Sequence, residues 1–537
     1  MRIILLSILM LVTAIAQAQP VAKDFVTVKG PSIHYAKKAF PMDIVAMDED
    51  GYYGYSHGQS FSDPDKYFFD IYDKEYRKVT SHRIPAKLNK RRTKFEAIVL
   101  HGGEIRYLSS YLDMKRDKRS LFIQTINKKS GETLEYTAMK IGERRTGSNA
   151  QNDNGKFWIK TSEDNTKLMV LSTDADATGE NEKLEMVVYN AIMTEMYRKT
   201  IKLQYPSELF DFEQVNLYNN GDVLILGRHF KEVRMLDRAG VPNYRYRIFR
   251  YERLGQLERT YPIFSTDRYL HNLRLTRNRF DEIICAGFYS INPDPKKGYD
   301  GVFSQVINSD TERIVAEAYS PFGETTAMEA RSLKERGLME MKPKEKRVHT
   351  VKNLVNKELI PKTDGGIIII SEQVITSSVE PGRDFSIKFN AKKVNTASTL
   401  KKKYAYKSIL VTSVNQNGDV QWSKVISKSQ GNGTGKDVFA SFTSHIDDDK
   451  LYLFWNDNPE NTGLINNPSP KQTGAPASTV LRGVRIDKDG NAIETAVERG
   501  VAVYPSITFA KTGKKLTFFS WNKRGYRFTD LNFRGKE

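Results

Sequence analysis

The chain has 537 residues, 83 lysines and arginines against 65 acidic residues, and a formal charge of +18. A hydrophobic share of 39%, with 27 Tyr and 27 Phe, is enough for a large core and excludes disorder along the whole chain. The single cysteine, Cys285, excludes a disulfide scaffold and every zinc site built on paired cysteines; it reads as a small buried hydrophobe.

Residues 1–18 read as a secretory signal peptide. Arg2 supplies the basic start, residues 3–15 the apolar stretch, and Ala16-Gln17-Ala18 the small-x-small cleavage pattern. That stretch is short for a membrane span, and no later apolar run reaches about 18 residues. The expectation is an exported protein, periplasmic or extracellular, without a membrane span. Export changes the meaning of the basic charge. Nucleic acid is not expected as a partner, and an anionic envelope surface or an acidic glycan takes its place.

A lone β-rich run at 25–29 precedes a unit of two hairpins that then recurs. In the first unit, 43–47 and 52–55 meet across Glu49-Asp50-Gly51, and 67–72 turns at Asp73-Lys74-Glu75. The second has 95–100 and 105–111 across His101-Gly102-Gly103, then 121–126 turning at Lys128-Lys129-Ser130-Gly131. The third has 157–161, 168–172 and 186–189. The fourth has 213–218 and 223–227 across Asn219-Asn220-Gly221, then 246–251. The fifth has 270–275, 283–288 and 302–307. Residues 325–352 then resist the β pattern: Met328, Ala330, Leu333, Leu338, Met339 and Met341 are interleaved with charges, which predicts a short helix stopped by Pro343 and a solvated basic run at 342–347. The sixth unit has 354–360 and 367–371 across Asp364-Gly365-Gly366, then 409–414 turning at Asn417-Gly418. The seventh has 439–446 and 451–455 across Asp447-Asp448-Asp449, then 480–486. The last has 503–509, 516–521 and 526–533, three strands instead of four.

Asn-Gly and Asp-Gly mark hairpins because both residues tolerate positive φ. Four strands per unit, repeated about every 55–62 residues, compose the blades of an all-β propeller of seven or eight blades, expected as one domain over 19–537 with a short helical insertion. Three strands would leave an open edge. Pairing 25–29 with 526–533 completes the last blade and closes the ring.

The stretches Asp364-Gly365-Gly366-Ile367-Ile368-Ile369-Ile370-Ser371-Glu372-Gln373, Asn417-Gly418-Asp419-Val420-Gln421-Trp422-Ser423-Lys424-Val425-Ile426 and Lys450-Leu451-Tyr452-Leu453-Phe454-Trp455-Asn456-Asp457-Asn458-Pro459 resemble a group of uncharacterised secreted bacterial β-propeller-like proteins, best over residues 350–535. These motifs are structural. The resemblance implies an exported propeller and carries no catalytic residue across.

The connections from second to third strands are long at 56–66, 174–183, 229–245, 290–300, 376–403 and 456–478, and in a propeller they share one face with the blade-to-blade connections. That face is the expected binding face. Its candidate contacts are Arg234, Arg238, Tyr244, Lys296, Lys297, Tyr299, Asn456 and Asp457, residue types that favour interfaces or stack on sugars. No metal and no cofactor are assigned. Asp174, Asp176, Thr178, Gly179, Glu182 and Glu185 match a calcium loop in spacing, but Asn181 replaces the apolar residue that ties such loops down. Millimolar calcium is therefore expected to leave the melting temperature unchanged; a rise that vanishes when Asp174 and Asp176 are both replaced by Ala would make the loop a metal site. The eight histidines do not cluster, and His101 and His271 read as packed or solvated near first strands. Neither Gly-x-Ser-x-Gly nor a phosphate-binding Gly-rich loop occurs. The leading functional reading is a non-catalytic binding or scaffold propeller for a protein or glycan. The alternative is a carbohydrate-active enzyme with carboxylates at the channel mouth.

Overall fold

The computed structural model describes residues 24–34, 39–58, 66–146, 155–173, 183–203, 209–231, 243–252, 254–263, 265–379, 401–431, 439–512, 514–523 and 525–534. They form eight four-stranded antiparallel blades. The first strands of the blades are Ala39–Asp48, Lys94–His101, Phe157–Thr161, Phe210–Leu217, Tyr269–Arg277, Leu354–Pro361, Thr443–Asp447 and Val503–Thr512. First strands of neighbouring blades lie against one another and so wall the central channel. No helix among the described residues is long and apolar enough to cross a membrane.

The core sits between blades, and the strand period explains how. Val223 and Ile225 pack with Met169 and Leu171 of the third blade, while Leu224 and Leu226 pack with Leu273 and Leu275 of the fifth. A middle strand is thus buried on both faces, which is why it reads as an unbroken apolar run rather than an alternation. The outermost strands have one wet face: Lys78–Arg83 alternates half-buried with exposed residues throughout. Ile367 and Ile369 face the fifth blade and Ile370 the seventh, which accounts for the four isoleucines.

The ring closes as the unpaired runs require. Phe25–Lys29 is the fourth strand of the last blade and pairs with Gly525–Phe533 from Phe25↔Phe533 to Lys29↔Thr529. Ile33–His34 adds a second, unexpected pairing to the same strand. At the other edge of the turns, Gly102 (φ 59°) lies where an added Cβ would stand 1.9 Å from the Ala191 carbonyl, so the second blade's hairpin packs directly on the third's.

Three details depart from the expected elements. In the sixth blade the middle strands run on as Ile367–Val379 and Lys401–Val414, beyond the Ser371 limit read from the sequence. A small hairpin, Lys87–Leu88 with Arg91–Arg92, stands between the first two blades. The insertion holds two helices rather than one, Glu324–Glu329 and Leu333–Glu340. Ser332 starts the second by a capping box with Glu335, which breaks the run. The calcium-like segment lies outside the described residues apart from Lys183–Glu185, and among the described residues no group of three or more His, Cys, Asp or Glu is placed to hold a metal.

Candidate functional site

Blade-to-blade and second-to-third connections emerge on one face, and there a cleft of about 290 Å3 opens beside the sixth blade. One wall is the insertion (329–336 and 350–353), the floor is Lys407, Ser408 and Ser427–Ser429 of the sixth blade, and the far wall is 467–470 from the seventh. The walls are pinned before any ligand arrives. Asn466 Nδ2 donates to Glu329 Oε1 (2.8 Å), Gln373 Nε2 to the Ala330 and Lys352 carbonyls, and Ser427 N to the Ile465 carbonyl. Thr473 N donates to the Ser429 carbonyl (2.8 Å).

Beneath the floor is a buried ionic group. Glu372 receives ion pairs from Lys428 (2.5 Å) and Lys357 (3.2 Å) and a hydrogen bond from Ser441 Oγ (2.7 Å). Both ammonium groups also stand over the Tyr406 ring. Lys428 and Glu372 are fully buried, so each needs the other. Burial lowers the Lys428 ammonium against the pull of Glu372.

A second polar group lies on the channel wall of the fourth blade. Asp211 and Glu213, two residues apart on the first strand, both face the Arg228 guanidinium (3.2 and 2.9 Å). Burial raises the Glu213 carboxyl above the ordinary range, with Asp211 adding to the rise and Arg228 opposing it. Next to this pair, His271 is buried with Nδ1 2.9 Å from the Tyr244 hydroxyl and Nε2 2.8 Å from Ser290 Oγ. Burial, helped by Arg228, lowers His271 to about 4.

That shift fixes a pH dependence. In the unfolded chain the imidazole takes up a proton near its usual value of about 6.5, whereas the folded protein resists until about 4, so the stability it contributes is complete above about 6.5 and lost as pH falls from there towards 4. The loss is about 3 kcal/mol at most. Urea midpoints measured between pH 7 and 4 should therefore decline less in His271→Gln than in the unsubstituted protein. An equal decline in both would remove His271 as a cause.

The structure distributes the sequence-predicted contacts unevenly. Lys296 and Lys297 are exposed on the expected face, in the short turn Pro295–Lys297, whose Lys297 carbonyl accepts from Thr350 Oγ1 of the insertion. Tyr244 is half-buried, its hydroxyl donating to the Leu270 carbonyl (3.0 Å). Tyr299 is core: it stacks on Phe288 at 5.4 Å and accepts from Asn272 Nδ2. Asn456 and Asp457 are buried as well, because Asn456 ties the Phe439 and Val503 carbonyls and Asp457 pairs with buried Arg482 at 3.0 Å; they hold the face together rather than line it. Arg234 and Arg238 lie outside the described residues. Cys285 is buried as read. The cleft residues Lys407, Lys428 and Ser429 were not singled out in the sequence; the one local signal is a Ser-Lys-Ser triplet directly after the apolar Val425-Ile426.

No family model and no curated protein matches the chain. Among solved structures it is similar to the WD40 domain of SCAP from fission yeast (9% identity, 96% of each chain, TM-score 0.37). It is similar also to the β-propeller domain of the Trilobed protease from Pyrococcus furiosus (10% identity, 89% of this chain and 100% of that one, TM-score 0.35). A third is a polysaccharide lyase of family PL25, an ulvan lyase (12% identity, 79% and 89%, TM-score 0.34). The eight-bladed closed ring of this chain rests on its own strand pairing, and a fold by itself does not set a function.

Proposed function

We propose that this chain is an exported, non-catalytic binding or scaffold propeller that takes a protein or glycan ligand through its long-loop face, in the periplasm or outside the cell. The observation that carries the reading is the cleft at the insertion. It is preformed by side-chain and main-chain hydrogen bonds, sits on that face, and offers amides, hydroxyls and cations. Its two lining carboxylates are already employed, Glu329 holding Asn466 and Glu335 capping a helix. A leader-like start at 1–18 supports export, and the basic charge suits an anionic envelope as the setting.

A second reading, a carbohydrate-active enzyme, is favoured by one observation: Glu213, raised by burial, stands two residues from Asp211 on the channel wall. Both carboxylates are bound to one guanidinium, which supports a structural ion pair instead. The test is a glycan array with the chain from residue 19 onward, followed by an assay of every retained glycan for new chain ends. Retention without cleavage is expected. Cleavage that disappears in Glu213→Gln would replace the binder with the enzyme.

A further inference from the structure

We propose that the cleft between the helical insertion and the sixth and seventh blades binds the oxyanion group of an acidic saccharide, a carboxylate or a sulfate ester, with Lys407 as its principal cation. The inference rests on the binding reading above and deepens it.

Lys407 lies half-buried on strand Lys401–Val414. Its ammonium donates to Ser429 Oγ at 2.8 Å, and no carboxylate among the described residues pairs with it. An ammonium has three donors, so this one keeps hydrogen-bonding capacity for a ligand. The contrast with its neighbours is informative: buried Lys428 shares Glu372 with Lys357, whereas Lys407 has been given only a neutral hydroxyl. Partial removal from water without a counter-charge is a cost, and an incoming anion offsets it. Burial alone lowers its ionisation, in keeping with that missing counter-charge.

The surrounding field has the same sign. Arg331 donates to the Ala327 and Val348 carbonyls and Arg336 to the Arg331 and Glu329 carbonyls, so both are held in place by uncharged acceptors. Apart from Lys428, which is paired with Glu372, the lining has four lysines and arginines against two glutamates. In volume, about 290 Å3 lies at the small end of ligand sites, which suits one sugar-sized unit rather than a folded protein surface. Ser408, Ser469 and Asn467 supply hydroxyls and an amide for sugar hydroxyls. These neutral polar groups favour a saccharide over an acidic peptide as the carrier of the anion.

The test is calorimetric titration of the chain from residue 19 onward with glucuronate, glucose 6-sulfate, glucose and triglutamate, at about 20 and about 300 mM salt. Glucuronate and glucose 6-sulfate should both bind, at least about tenfold tighter than glucose, and more weakly at high salt. The ratio of the two tells carboxylate from sulfate. Lys407→Gln should weaken both about tenfold, and Lys407→Arg should restore most of the affinity. Melting curves of the variants show whether the fold is kept, and Ser429→Ala, which spares the cation, serves as the milder second variant. Equal binding of glucose, unchanged binding in Lys407→Gln, tighter binding of triglutamate, or no binding of any probe would each overturn the anion site. Retention of neutral glycans on the array, lost when Ser408→Trp fills the cleft, would then leave the binding face standing without the anion.

Discussion

Deletion of residues 19–31 is expected to lower the melting temperature sharply, because it removes the strand that closes the ring. Phe25 is buried among Phe454, Phe518 and Phe533, with Phe454 and Phe533 rings both 5.5 Å away edge-on. The same segment supplies the Asp24–Arg485 ion pair (2.8 Å), the hydrogen bond from Arg534 N to the Asp24 carbonyl and that from Gly30 N to the Phe528 carbonyl. Phe25→Ala alone should cost about 3–5 kcal/mol, the usual range for emptying an aromatic site in a core. The deletion should cost more, since it also leaves Thr529–Phe533 as an unpaired edge. An unchanged melting curve would mean that the segment is a linker and that the ring holds without it.

The second large effect is expected at Arg482. Its guanidinium is fully buried, donating to Glu494 Oε1 (2.5 Å), Asp457 Oδ2 (3.0 Å) and the Leu464 carbonyl (2.9 Å), and it stands 5.3 Å from the Trp455 ring centre. Asp457 Oδ1 in turn accepts from Asn461 Nδ2, which anchors the long connection of the seventh blade. Arg482→Ala leaves Asp457 charged and out of water and should cost about 3–5 kcal/mol in denaturant titrations, whereas Asp457→Ala leaves Arg482 its pair with Glu494 and should cost less. The two losses should not add in the double variant, because the second substitution removes a charge already stranded. Additive losses would show that the residues act independently.

The blades were legible because two signals coincide in each unit. Turn residues recur at fixed places, and middle strands such as Leu168–Thr173, buried on both faces, are apolar without interruption. Closure was legible by elimination, from three strands at one end and a lone one at the other. Buried polar groups were what misled. Glu372 ends the isoleucine run in sequence and looks like a loop residue, yet it sits inside the blade because Lys428 neutralises it; the strand therefore continues to Val379. Asn456 and Asp457 have the composition of a surface loop, and Arg482, 25 residues later, draws Asp457 inside. The cleft was illegible for a different reason. Its lining comes from four separate stretches around 329–353, 373–375, 407–429 and 467–470, which the ring brings together and no local pattern joins.

The most direct test of the account places one bulky side chain on each face of the ring. Ser408→Trp fills the cleft on the long-loop face, and Asn417→Trp alters an exposed hairpin turn on the opposite face. Binding of each variant to the glycans that the unsubstituted protein retains on an array is compared at equal melting temperature. If the long-loop face is the binding face, Ser408→Trp loses binding and Asn417→Trp keeps it. Binding that survives Ser408→Trp and is lost in Asn417→Trp would contradict it.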